Sequence, residues 1–116
     1  VEKFDEQGKP VRVKVLSTDY EIIWMDAATV RMSDKLGSHD GWMSKIHLVA
    51  EMSEPTALAG DFLHELFHAL YCLSASFDAE NFNQEHAARI VSTGMTAFWR
   101  DNPLTFKWWQ SLLEDR

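Results

Sequence analysis

The stretch from Pro55 to Leu73 most constrains what this chain can fold into. Leu58, Phe62, Leu66, Ala69 and Leu73 recur at helical spacing, and Phe67 and Leu70 widen the apolar stripe. Pro55 suits a first helical turn, with Ser53 or Glu54 before it as the capping position. The periodicity therefore predicts a helix with one face turned to a core. Its other face carries His64 and His68, four residues apart. Positions i and i+4 lie on one side of a helix, one turn apart. Both imidazoles can then reach a single metal ion, with Glu65 projecting beside them.

The five residues His64-Glu65-Leu66-Phe67-His68 read H-E-x-x-H. On this motif the chain resembles the zincin metallopeptidases, in which two histidines hold zinc and the glutamate is the general base. The resemblance implies one zinc ion per chain on His64 and His68. It implies that Glu65 takes a proton from water and passes it to the leaving amine of a peptide bond. A competing reading of the same residues is two histidines and a glutamate on a solvated helix face.

Two histidines leave a catalytic zinc site one protein ligand short. The metzincin continuation H-E-x-x-H-x-x-G-x-x-H is excluded, because Tyr71 and Ser74 stand where its glycine and third histidine belong. Downstream candidates are Asp78, Glu80, Glu85 and His86. Asp78 and Glu80 fall in the segment that reads as a connection between helices. Glu85 sits early in the next helical run, and here the chain resembles the gluzincin group, which takes its third ligand from such a glutamate. That resemblance makes Glu85 the expected ligand, alongside His64 and His68. His86 competes, since small DNA-repair-associated proteases use a third histidine at similar spacing. Neighbouring helical residues point about 100° apart, so only one of the two faces the metal well. The alternative role for Glu85 is a carboxylate at a helix start. Thermolysin-like enzymes place an aspartate four residues after the ligand glutamate; Arg89 stands there in this chain. Partners for the ligating imidazoles must come from elsewhere, such as Asp61, Asp78 or main-chain carbonyls. Tyr71, His86 and Arg89 are oxyanion-stabilising candidates by residue type. Cys72, one turn beyond His68, reads as a small buried hydrophobe before a ligand.

A chain of 116 residues, 46% of them apolar, makes one domain with a modest core. Its net charge of −7 argues against a nucleic-acid groove and against anionic membrane surfaces. No run is long enough for a transmembrane helix, and no signal-peptide pattern is visible. Cys72 is the single cysteine, which fits a reducing compartment. A cytoplasmic protein acting on a peptide or protein substrate is the expectation.

The pattern along the chain is α+β. Residues 1–10 read as a flexible lead-in and 11–116 as a single zincin-like domain. Val11, Val13 and Val15 alternate with charged residues as one strand. Tyr20, Ile22 and Trp24 form a second, across a turn at Ser17-Thr18-Asp19. Asp26 to Leu36 is ambiguous between helix and other structure, with Gly37 as a closing cap. After a turn at Asp40-Gly41, Met43–Ala50 reads as a third strand. The expected architecture is a small twisted three-stranded sheet on the active-site helix, followed by two further helices. One runs from about Phe82 to Arg100 with Ala87, Ile90, Val91, Gly94, Met95 and Phe98 inward. Asn102 and Pro103 then cap and start the last, which carries Trp108 and Trp109 over the core. In zincins the strand before the helix is an edge strand that binds extended substrate, and the resemblance assigns that role to Met43–Ala50.

The Asp-Asn-Pro sequence after the long helix also resembles small zincin-like proteins of phages and related mobile elements. That resemblance carries a second expectation from a different class, a non-catalytic metal-binding or regulatory module that keeps the zincin scaffold.

Overall fold

The computed structural model describes residues 2–26, 37–40, 44–49, 54–74 and 84–114, with 37–40 described by their backbone. The fold is α+β. Five strands, β1 (Lys3–Phe4), β2 (Pro10–Val15), β3 (Thr18–Met25), β4 (Gly37–Asp40) and β5 (Lys45–Val49), form one sheet in the order β1-β2-β3-β5-β4. Three described helices follow: α1 (Pro55–Leu73), α2 (Gln84–Asp101) and α3 (Pro103–Ser111). The expected third strand is β5, so the sheet gains β4 and a two-residue β1 over the three-stranded expectation. The former lies in a segment without a strand-like pattern. The latter lies in the segment read as lead-in, where Gly8 at φ 83° and the Asp5 side chain close a turn back to Lys9.

β2 and β3 form a hairpin in which Val13 faces Tyr20 and Val15 faces Thr18. That register places the loop at Leu16-Ser17, ahead of the expected turn. Leu16 takes φ 56°, the left-handed sense that the first loop residue of a tight hairpin adopts. The compensation is packing: Val13, Val15, Tyr20 and Ile22 all become buried on one face. β5 runs parallel to β3 and antiparallel to β4. It is therefore flanked on both sides, and β4 is the last strand of the sheet among the described residues. This corrects the expectation that the strand before the helix is the edge. The ambiguous region beyond Asp26 (27–36), Gly41, Met43 and Ala50 lie outside the described residues; Gly37 is the first residue of β4.

The helices share the sheet face that presents Ile46 and Leu48, and α1 packs on β4 and β5. It buries Leu58, Ala59, Phe62, Leu66, Ala69 and Leu70. Each such large side chain contributes roughly 1.5–3 kcal/mol of hydrophobic stabilisation. Phe62 meets Phe98 at 6.1 Å and Trp108 at 5.4 Å between ring centroids, tying the three helices together. Trp109 donates its indole N–H to the Ala59 carbonyl at 3.1 Å. Trp108 and Trp109 thus cover the core as expected, while Leu104 and Leu113 stay exposed. On α2 the buried residues are Ile90, Gly94 and Phe98; Val91, expected inward, is 40% exposed. Gly94 is where α2 touches α1, since a Cβ there would stand 2.8 Å from Leu70 Cδ2.

Asn102 occupies the N-cap position of α3, yet its side chain makes no cap bond there. It is fully buried and turned toward the sheet. Its Oδ1 accepts from Lys14 N–H at 2.8 Å, and its Nδ2 donates to the carbonyls of Lys14 (2.6 Å) and Phe98 (2.8 Å). The amide completes β2 where β1 has already ended. The cap is made instead by Glu2, whose carboxylate accepts from Leu104 and Thr105 N–H at 3.1 Å. Asn102→Ala is expected to cost about 3 kcal/mol, because it strands buried backbone groups as well as removing bonds. Asn102→Asp should be comparably damaging, since a carboxylate cannot donate to the Lys14 carbonyl. Denaturant unfolding of both variants checks this. Gly94→Leu should lose about 2 kcal/mol by overpacking against Leu70, measured the same way.

Candidate metal centre

The split of α1 into two faces builds the site. With Leu66, Ala69 and Leu70 locked into the core, His64 and His68 are directed to the exposed side of the same helix. Their rings meet edge to face, with centroids 4.8 Å apart. Their Nε2 atoms converge to 3.2 Å. At a zinc–nitrogen distance of about 2.05 Å, nitrogens 3.2 Å apart subtend roughly 100° at the metal, close to tetrahedral. The spacing suits two ligands of one zinc ion.

Glu65 completes the group. One donor atom from each of His64, Glu65 and His68 lies within 4.8 Å of the others. Glu65 is only 6% exposed, unlike the two histidines. Among the described residues, no side chain or backbone N–H hydrogen-bonds to its carboxylate and no Lys or Arg pairs with it.

The structure brings together three of the four expected site residues. Among the described residues, the converging group holds His64, Glu65 and His68, without Glu85. Glu85 lies in the first turn of α2, its side chain 75% exposed and paired with Arg89 at 3.4 Å. An ion pair this exposed contributes little. Its neighbour His86 is half-buried and falls in the 86-90-94-98 column that includes the buried Ile90, Gly94 and Phe98. Asp78 and Glu80 lie outside the described residues. Cys72 is half-buried and is likewise not among the converging donors, nor is Asp61. Phe67, not singled out for the site in the sequence, stacks on Tyr71, an oxyanion-stabilising candidate by residue type, at 6.4 Å between centroids, and its ring lies edge to face with that of His68 at 6.5 Å. Their i, i+4 spacing was the available signal.

No helix among the described residues is long and apolar enough to cross a membrane. No protein family, curated protein or solved structure compared with this chain matches it.

Proposed function

We propose that this chain is a zinc-dependent metallopeptidase of the zincin type. The observation that carries the reading is Glu65, 6% exposed and without a hydrogen-bond or ion-pair partner among the described residues, beside two imidazole nitrogens 3.2 Å apart. Zinc held by His64 and His68 supplies Lewis acidity to a peptide carbonyl and to water. Glu65 takes the proton of the attacking water and delivers it to the departing amine. The same helix that holds the ligands fixes its position. An extended peptide reaches the site by adding to β4, the last strand of the sheet, which packs against α1.

The proposed site keeps Glu85 as a candidate third ligand, reached by exchanging Arg89 for the metal, beside His86, Asp78 and Glu80. A purely structural zinc site would need a closed set of four protein ligands. That Cys72 is not among the converging donors of the described residues favours an open, catalytic site over a closed structural one.

Protein purified without chelator or affinity metal should carry close to one zinc per chain by plasma mass spectrometry; metal-free protein that refuses added zinc would refute the proposal. His64→Ala and His68→Ala should each weaken zinc binding by at least about 100-fold in competitive titration. In the same titration, whichever of Glu85→Gln, His86→Ala, Asp78→Asn and Glu80→Gln loses zinc marks the third ligand. Glu65→Gln should retain zinc while lowering peptide cleavage by a factor on the order of 10² or more. Wild-type activity in that variant would exclude Glu65 as the base.

A further inference from the structure

The helix-facing side of the sheet is apolar strand by strand until β4. Val13 and Val15 on β2, Tyr20 and Ile22 on β3, and Ile46 and Leu48 on β5 all belong to the buried core. β4 pairs antiparallel with β5, with Gly37 across from Leu48 and His39 across from Ile46. Residues directly across from each other in an antiparallel pair share one face of the sheet. Gly37 and His39 therefore make up the helix-facing row of β4. That row has no apolar side chain, although α1 packs on the strand.

One flank of α1 is taken by the other helices. The Ala59 carbonyl accepts the Trp109 indole N–H of α3, and Leu70 meets Gly94 of α2. Both of those helices pack on β2, toward the other end of the sheet from β4. At 100° per residue, Glu65 and His68 lie about 140° and 160° around α1 from Leu70. They fall on the opposite flank, the one above β4, where α1 and the strand come within 8 Å between Cα atoms. Among the described residues the converging donors supply two imidazoles and the Glu65 carboxylate, and a catalytic zinc site takes three protein ligands. We propose that His39, at the helix-facing register position of β4 beside this flank, is the third zinc ligand. Three imidazoles fill three tetrahedral positions and leave the fourth to water, with Glu65 next to it as the base. This rests on the peptidase reading and takes the missing ligand from the strand that precedes the motif helix instead of from the residues that follow it.

Competitive zinc titration and cobalt(II) absorption on the full chain test the assignment. His39→Ala should bind zinc at least about 100-fold more weakly than wild type, as loss of a ligand requires. His39→Cys is the sharper probe, because a thiolate bound to cobalt(II) adds a charge-transfer band that imidazole ligands do not. His39→Cys should show that band at saturating cobalt. Wild type should not, since Cys72 is not among the converging donors of the described residues. Unchanged zinc affinity in His39→Ala, or no thiolate band in His39→Cys, would overturn the assignment of His39 while leaving the peptidase reading intact. Wild-type protein that binds neither zinc nor cobalt would overturn the peptidase reading and this inference with it. Should His39→Ala not fold, the band in His39→Cys decides the matter alone.

Discussion

Everything at the candidate site depends on the rotational setting of α1 about its own axis. Phe62 fixes it, held between Phe98 and Trp108, and Leu66 and Leu70 are wholly buried beside it. At 100° per residue, that setting leaves no freedom for His64 and His68. A rotation of a single residue step would push an imidazole into the core and a leucine into water. The core therefore determines which side the donors face, and the i, i+4 spacing puts the two imidazoles close enough for their Nε2 atoms to approach to 3.2 Å. Glu65 falls between the faces, which is why it is buried although its neighbour His64 is not.

The helix and its motif were legible in the sequence because a helix is a local object. The 3.6-residue period of Leu58, Phe62, Leu66 and Ala69 determines which side is wet, with no knowledge of what covers the dry side. The alternation of Val13, Val15, Tyr20 and Ile22 was legible for the same reason. The order of strands was not. Nothing in Lys45–Val49 distinguishes a central strand from an edge one, since that depends on β4, whose Gly37–Asp40 segment has no apolar alternation. The third ligand was illegible for a related reason. Choosing between Glu85 and its neighbours requires the phase of α2 relative to α1, which residues in the intervening connection set.

Asn102 and Glu2 show where a correct local signal met a stronger distant one. Asn before Pro marks a helix start, and α3 does start there. The expected side-chain cap is absent because the Asn102 amide has both a donor and an acceptor to offer, and Lys14 presents a backbone pair needing both. A carboxylate offers only acceptors, which is all that the free N–H groups of Leu104 and Thr105 require. The two residues divide the task by chemistry: the amide closes the sheet and the acid closes the helix. Sequence separations of 88 and 102 residues put both contacts beyond any local pattern.

Comparison of the buried polar groups sharpens the functional reading. Asn102 is fully buried and makes three hydrogen bonds, so its polarity is accounted for by the fold. Thr105 Oγ1 and His47 Nδ1 are buried without partners, but they are neutral atoms, and such a loss is of order 1–3 kcal/mol each. Glu65 belongs to neither class. It is 6% exposed and has no hydrogen-bond or ion-pair partner among the described residues. The fold gains nothing from it that the described contacts reveal. It stands on the same helix as His64 and His68, one carboxylate oxygen within 4.8 Å of a ring nitrogen of each, and no partner holds it among the described residues.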